Sequence, residues 1–259
     1  MLCYNMNIPN FLKDILSSVG LEPKNAESVN YYTSEYTRCE NVNKFLAGKF
    51  CALDESYAFH DGVKNAIELS KTMQPRKKGI TTYRGADSGN FKDIINLSEQ
   101  EIVGQEIPIR AFSSSSTSKD VAGRFSRENS SSKNAQRLIL QFDIERGRHS
   151  YDVKYGFDNV SRQIAHEKET ILPPAVYEIV GARRVQSFEG YNGNYLILQM
   201  RQKELLDIKD LINMNLDALQ VNIEEENEKG NHFNLTTQDI EEVRAKINPK
   251  LHAIKDREI

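Results

Sequence analysis

The chain is 259 residues long and 39% hydrophobic, which is enough apolar material for a sizeable core in one domain, with or without an appendage. Its formal net charge of -3 excludes an overall basic field that would attract nucleic acid, and no apolar run reaches the length that crosses a bilayer. The three cysteines, Cys3, Cys39 and Cys51, lack metal-ligand spacing, and their odd number argues against a full disulfide framework.

The first third of the chain is predicted to be helical. A short amphipathic segment covers 11–19. Apolar residues then recur at three- and four-residue spacing across 28–49, which predicts a helix that ends near Gly48. The same spacing returns across 53–73, although Gly62 weakens the pattern there.

The pattern changes at Ile80, where short runs rich in β-branched and aromatic residues begin. Clusters of Gly, Asn, Ser and Pro separate these runs, and a short helix is predicted around 119–125. Strands without regular helices between them favour packed antiparallel or mixed sheets. The predicted strands are 80–83, 106–112, 137–144, 169–172, 176–180 and 195–200.

The last part of the chain, from Gln202, is charged and predicted to be helical. An apolar stripe at helical spacing covers 205–223, and a second stripe covers 240–254. Thr236 or Thr237 would cap the second helix. We expect a helical pair that packs on the β core; a separate partner-binding module is the alternative.

Two glutamates, Glu167 and Glu169, stand two residues apart before a double proline at Pro173 and Pro174. In an extended strand, side chains i and i+2 share a face, so both carboxylates would project into one site if this segment is extended. Like charges this close repel each other, and proteins accommodate them where a cation or a reacting group lies between them. A solvated, charged edge strand is the alternative interpretation.

Two further motifs precede these glutamates in the chain. Arg84 and Gly85 end a predicted strand, where the guanidinium could bind a phosphate and the glycine could let backbone approach, although such a pair alone more often marks a surface turn. A run of hydroxyl residues, 113–118, follows another strand. Such side chains donate hydrogen bonds to a carboxylate or a ligand without filling a pocket, and a silent serine-rich loop is the alternative.

In this order, the motifs resemble those of the mono-ADP-ribosyltransferases of the Arg-Ser-Glu class, which include arginine-directed bacterial toxins and effectors and animal ecto-enzymes. The similarity covers about residues 25–200, and the tail after Met200 has no counterpart in it. The matching elements are a helical segment at 32–46, the arginine strand at 80–85, the stretch from Phe112 to Phe125, and Glu-x-Glu with Leu-Pro-Pro at 167–174.

The serine motif departs from the family pattern. The family has Phe-x-Ser-Thr-Ser, whereas this chain has serine at each of 114–116 after Phe112. The segment 116–118 spells Ser-Thr-Ser literally, so the register is ambiguous. We prefer Ser114 as the family's first serine, because its separations from Phe112 and from 121–122 match the family.

The resemblance implies an α+β fold of the ADP-ribosyltransferase type. It would have an N-terminal helical lobe and two packed, mainly antiparallel sheets around an NAD cleft, and the apolar stripes after Gln202 add a C-terminal helical hairpin. We expect three segments along the chain: an N-terminal segment, 1–24, a catalytic domain, 25–201, and a helical tail, 202–259. Within the catalytic domain, the helical lobe covers 25–78 and the β core covers 79–201.

The same resemblance implies that the protein cleaves NAD, as a co-substrate and without a metal, and transfers ADP-ribose to a protein side chain. Glu169 would stabilise the positive charge that develops on the ribose, and Ser114 would orient Glu169. Arg84 would clamp the phosphates. The implied cofactor-binding residues are Arg84, Gly85, Ser114, Ser115, Ser116, Phe125 and Glu169.

Glu167 would face the incoming nucleophile, and the resemblance therefore implies an arginine acceptor. A guanidinium has a pKa above about 12, so it needs a carboxylate to orient it and take its proton. Tyr155 and Phe157, in the loop before Glu167, are candidate contacts for the target protein, although packing onto the core is an equally good interpretation. The alternatives are a hydroxyl acceptor, an NAD glycohydrolase on the same fold, and a non-catalytic binding module.

The first residues of the chain lack the charged and apolar regions of a secretory signal peptide. We expect secretion by a non-classical route and action in the cytosol of a host cell; an endogenous cytosolic enzyme is the alternative. The expected partners are NAD and a target protein, with no nucleic acid and no membrane span.

Overall fold

The computed structural model describes residues 28–29, 31–33, 36–51, 55–86, 91–128, 136–153, 168–231 and 233–247. The helices are α1 (Tyr36–Leu46), α2 (Ser56–Thr72), α3 (Lys92–Ile95), α4 (Glu99–Ile102), α5 (Lys119–Glu128), α6 (Ile208–Glu228) and α7 (Thr237–Ile247). The strands are β1 (Gln74–Pro75), β2 (Ile80–Ala86), β3 (Glu106–Ile109), β4 (Ser113–Ser116), β5 (Arg137–Ile144), β6 (His149–Asp152), β7 (Glu169–Leu172), β8 (Ala175–Phe188) and β9 (Tyr191–Leu205).

The chain divides into two units. The helical unit contains the described residues of 28–72 and 212–247, and the sheet unit contains those of 73–153 and 168–211. A compact unit need not fold on its own. The predicted division of the chain into the segments 1–24, 25–201 and 202–259 therefore stays a prediction.

Helix α1 ends where the sequence predicts, at a glycine in the left-handed region. Gly48 has φ +68°, its amide donates to the carbonyl of Phe45, and the amide of Lys49 donates to the carbonyl of Lys44. These two bonds form the Schellman motif that commonly closes helices. Asn215 of α6 adds its side-chain amide, which donates to the carbonyls of Phe45 at 2.8 Å and Leu46 at 3.2 Å. A residue of the tail therefore caps a helix near the start of the chain.

Helix α2 continues through Gly62, which the sequence marks as a weak point. A Cβ at Gly62 would lie 2.9 Å from the carbonyl oxygen of Asn41, so this glycine allows α1 and α2 to approach closely. The rings of Phe45 and Phe59 pack edge to face across the same contact, with centroids 5.5 Å apart.

The sheet contains nine described strands in the order β1-β6-β7-β4-β2-β5-β9-β8-β3. Every pair is antiparallel except the parallel pair of β5 and β9. Strands β2 and β4 share a single residue pair, Tyr83 with Ser116. The sheet therefore consists of a four-stranded ladder (β1, β6, β7, β4) and a five-stranded ladder (β2, β5, β9, β8, β3) that meet at this pair. The sequence predicts two sheets, and the structure joins the two ladders in one nine-stranded sheet.

The five-stranded ladder is buried on both faces over much of its length, because β5 is an almost continuous apolar run. One face carries Leu140 and Phe142, and the ring of Phe142 packs against Tyr177 of β8 with centroids 5.0 Å apart. Leu172 of β7 belongs to the same buried cluster, so apolar packing joins the two ladders. The other face carries Ile139, which packs beneath α5 in a second cluster.

The predicted strands are confirmed, with β5 and β7 at their predicted bounds. Strands β2, β8 and β9 extend beyond the prediction, and β3 stops at Ile109 instead of continuing to Phe112. Residues 113–116 of the serine run form strand β4 and not a loop, and hydrogen bonding of these hydroxyls to a ligand stays a prediction. The predicted segment 11–19 and the end of the predicted last helix, from residue 248, lie outside the described residues.

Candidate functional site

The register of β4 and β7 brings the serine run and Glu169 together. Ser116 lies directly opposite Glu169, and Ser114 lies opposite Ile171. Residues that face each other across an antiparallel pair project to the same side, with Cβ atoms about 5 Å apart. Ser114, Ser116 and Glu169 therefore share one face of the ladder, with Ser116 directly opposite the glutamate and Ser114 two residues further along β4.

Ser115 projects to the opposite face and is used within the sheet. Its hydroxyl donates to the carbonyl of Thr170 at 2.8 Å, and the side chain is buried. This bond adds a cross-strand link to a strand whose residues have poor β propensity. The structure gives Ser115 a role in the ladder, and its predicted contact with the cofactor stays a prediction.

Arg84 connects the two ladders beside their single shared pair. Its Nη1 donates to the carbonyl oxygen of Ser114 at 2.6 Å, and the side chain is half-buried. Within the described part of the chain, Arg84 forms no ion pair with a carboxylate. A guanidinium has five N–H donors in a rigid fork, so a positioned cation with donors to spare lies next to the serine strand.

Gly85 allows helix α5 to lie directly on β2. A Cβ at this position would lie 2.3 Å from the amide nitrogen of Ser126 and 2.4 Å from the carbonyl oxygen of Ala122. The close approach that the sequence predicts at Gly85 is thus made by helix backbone, and contact with the cofactor stays a prediction. Phe125 sits on the same turn of α5 with 38% of its surface exposed, and the guanidinium of Arg124 lies 5.2 Å from its ring centroid.

The segment before Glu169 is not a continuous strand. Lys168 has φ +46°, in the left-handed region, and β7 begins at Glu169. The shared face of Glu167 and Glu169 therefore stays a prediction. Glu167, Tyr155 and Phe157 lie outside the described residues.

Glu169 is supported from β6, a strand that the sequence does not predict. The amide of Val153 donates to the carbonyl of Glu169 at 3.0 Å. Beside this bond, the hydroxyl of Thr170 donates to Asp152 at 3.0 Å, and Arg76 holds both oxygens of that carboxylate. The only sequence signal for this support is the alternation of polar and apolar residues in 149–153, which is too short to predict a strand.

Helix α5 is fixed at its other side by Tyr191 of β9. The phenol donates to Asp120 at 2.9 Å, and this hydrogen bond raises the pKa of Tyr191. Lys119, at the start of α5, lies 5.5 Å from the ring centroid of Tyr83, which precedes Arg84 on β2. The helix that carries Phe125 is thus held against both β2 and β9.

Among the residues that the structure describes, no three His, Cys, Asp or Glu side chains lie close enough together to hold a metal ion. The described helices also include none with the length and apolar character of a membrane span.

No family model matches the chain, and no curated protein matches it in sequence. The similarity to known proteins lies in the fold. Plx2a, an ADP-ribosyltransferase toxin from Paenibacillus larvae, is 17% identical and has a TM-score of 0.52, with 75% of this chain and 94% of that chain covered. The C3 exoenzyme of Clostridium limosum is 14% identical with a TM-score of 0.51, and 75% of this chain and 92% of that chain are covered.

A third similar structure is the ADP-ribosylating toxin BECa of a binary enterotoxin of C. perfringens, which was solved with NADH. It is 16% identical with a TM-score of 0.50; 76% of this chain is covered, and the chain spans about half of that protein, 48%. These likenesses show that the chain has the α+β fold of ADP-ribosyltransferase toxins, as the sequence predicts.

Proposed function

We propose that this protein transfers ADP-ribose from NAD to a side chain of a target protein, releases nicotinamide, and belongs to the Arg-Ser-Glu class. One observation carries the proposal: within the fold of ADP-ribosyltransferase toxins, the β4–β7 register puts Ser114 and Ser116 on the face of Glu169, and Arg84 bonds to Ser114. Three motifs up to 85 residues apart in the chain, from Arg84 to Glu169, thus meet in one place.

The residues present suit a dinucleotide. Arg84 is the cation for its phosphates, because its guanidinium is held by one carbonyl and forms no ion pair within the described residues. The hydroxyls of Ser114 and Ser116 and the exposed ring of Phe125 complete the binding set. The presence of NADH in the BECa structure supports a ligand of this class.

In the proposed reaction, the bond between ribose C1′ and the nicotinamide nitrogen breaks, and nicotinamide leaves with the bonding electron pair. Positive charge develops on the ribose, and the carboxylate of Glu169 stabilises it. Ser114 orients this carboxylate. The acceptor nitrogen or oxygen then forms a bond to C1′ and gives up its proton.

Glu167 receives that proton and orients the acceptor. This role favours arginine, because a guanidinium is a poor nucleophile until a carboxylate polarises it. Tyr155 and Phe157 contact the target protein in this proposal. The site of action is the cytosol of a host cell, after secretion of the protein, since the proteins with similar folds are toxins.

The test is incubation with biotinylated NAD and a cell lysate, followed by mass spectrometry of the labelled residue. We expect wild-type protein to label a target on arginine. Glu167→Gln should lose protein labelling while it still releases nicotinamide, because NAD cleavage needs Glu169 and the acceptor needs Glu167.

Other outcomes of this experiment separate the alternatives. Nicotinamide release without a labelled protein would identify a glycohydrolase, and label on serine or threonine would refute the arginine acceptor. Intact NAD in every sample would identify a binding module and overturn the proposal.

A further inference from the structure

A series of hydrogen bonds crosses the four-stranded ladder on the face opposite the Glu169 side chain. Arg76, next to β1, donates to Asp152 through Nη1 at 2.7 Å and through Nη2 at 3.0 Å, and Nη1 also donates to Ser150 at 2.8 Å. Asp152 lies directly opposite Thr170 in the β6–β7 register and accepts a hydrogen bond from its hydroxyl at 3.0 Å. This series of hydrogen bonds ends at Thr170, whose carbonyl accepts a hydrogen bond from Ser115 of β4.

Thr170 is the first interior residue of β7, and the position of Glu169 depends on it. Glu169 is the first residue of the strand, and Lys168 before it has φ +46°. For a residue with a side chain, the left-handed region is strained and persists only where the surroundings hold it. The backbone therefore turns sharply just before Glu169, and the anchor that follows it fixes where the strand starts.

The anchor consists of the Thr170 hydroxyl, Asp152 and Arg76, and each of these groups is held by the next. Thr170 is 2% exposed, so its hydroxyl needs a partner, and Asp152 supplies a charged one. The Asp152 side chain is 51% exposed and would be free to turn towards water without Arg76. The bidentate contact with the Arg76 guanidinium removes that freedom, because a planar fork matches both carboxylate oxygens at once.

We propose that Asp152 and Arg76 are positioning residues for Glu169 and act through the hydroxyl of Thr170; this inference rests on the proposed function of Glu169. Neither residue faces the substrate side of the ladder, since Thr170 projects to the face opposite Glu169. Loss of the anchor lets the start of β7 shift, and a displacement of about 1 Å at a catalytic group lowers the rate by up to about 100-fold.

The experiment measures nicotinamide release from NAD, with kcat and KM determined separately for three threonine variants. Thr170→Val removes the hydroxyl but keeps the shape of the side chain, and it should lower kcat by about 10- to 100-fold with KM for NAD within about twofold. Thr170→Ser keeps the hydroxyl and should recover kcat to within about threefold of wild type. Thr81→Val is the matched control, because Thr81 also donates to a cross-strand aspartate, Asp143, at 2.9 Å, and its kcat should not change.

Asp152→Asn is a second variant that weakens the support of the Thr170 hydroxyl, because it disturbs the contact between residue 152 and Arg76. We expect it to lower kcat by less than Thr170→Val does, because the asparagine side-chain oxygen still accepts from the hydroxyl, and the double variant should be no slower than the slower single variant. Full kcat in Thr170→Val and Asp152→Asn, with Glu169→Gln inactive, would overturn the positioning role and leave the proposed function intact. Full activity of Glu169→Gln would overturn both.

Discussion

Arg84 lies where the two ladders of the sheet meet. Its hydrogen bond to the carbonyl of Ser114 links the ladders where they share a single backbone pair, and the rest of its guanidinium is proposed to bind phosphate. Lysine keeps the charge but has no planar fork, so it cannot make both contacts with the same geometry.

Arg84→Lys should therefore raise KM for NAD by about tenfold or more and leave kcat much less affected, because phosphate contacts bind the ground state and the transition state alike. Steady-state nicotinamide release measures both constants. Arg110→Lys, at an exposed arginine after β3, is the control and should match wild type. An unchanged KM in Arg84→Lys would show that Arg84 does not bind the dinucleotide.

Much of the site could be predicted at the level of residue types, because Arg84, the serine run and Glu169 stand in a recognisable order. The residues that pair with them in the sheet could not be predicted. Nothing in the sequence pairs Ser116 with Glu169 or Asp152 with Thr170, since register depends on strands that are far apart in the chain. The left-handed conformation of Lys168 has no sequence signal either, because lysine rarely adopts it.

Helix α5 packs directly on strand β2 at Gly85. Helix backbone lies within 2.4 Å of the position that a Cβ on Gly85 would occupy, and backbone cannot move aside as a flexible side chain can. The helix also carries Phe125, so its distance from β2 affects the proposed binding set.

Gly85→Ala should lower the free energy of unfolding by about 3 kcal/mol or more, because the added methyl overpacks a contact between backbones. Chemical denaturation measures the change. The control is Gly79→Ala, just before β2, where the nearest atom to an added Cβ lies at an ordinary 3.4 Å and we expect little change. Equal stability of the two variants would contradict the close packing of α5 on β2.

The elements that the sequence predicts best are those with long apolar patterns, such as β5 and α6. Strand β4 consists of four serines and forms because its neighbours pair with it, so propensity alone leaves it undecided. Strand β6 is four residues long and largely polar, and its pairing with β1 and β7 identifies it as a strand. Both β4 and β6 form because they pair with strands that are distant in the sequence, and a short stretch of sequence does not reveal such pairing.

Residues from the first and the last third of the sequence build the helical unit. Asp239, in the first turn of α7, accepts hydrogen bonds from Ser56 of α2 at 2.5 Å and from the cap residue Thr236 at 2.7 Å, and it lies 3.0 Å from His60. Burial raises the pKa of the Asp239 carboxyl, but these hydrogen bonds outweigh it and leave the pKa well below its usual range.

A carboxyl whose pKa is lower in the folded state stabilises the fold above its unfolded pKa of about 3.9, and this contribution is lost as the pH falls towards the lowered value. Asp239→Asn should therefore unfold at lower urea concentration than wild type at pH 7, and the difference should shrink at pH 3. Asp217→Asn is the control, because its side chain is 68% exposed against 17% for Asp239 and its pair with Arg244 contributes little. A difference for Asp239→Asn that grows on acidification would contradict this account.

The pairing of early and late helices could not be predicted from the sequence. Periodicity identifies α1, α2, α6 and α7 one by one, but the contacts of Asn215 with α1 join positions about 170 residues apart. The fold class was predictable because its strands and motifs occur in a recognised order, and the similar structures confirm that part.

Glu169 is proposed to stabilise the charge that develops when NAD is cleaved, and nicotinamide release by the purified protein measures that role. Wild type should release nicotinamide, and Glu169→Gln should do so at least about 100-fold more slowly, because a neutral amide cannot stabilise the charge on the ribose. Glu204→Gln, at an exposed glutamate of β9, should keep the wild-type rate. A wild-type rate in Glu169→Gln, or no release by wild type itself, would contradict the account.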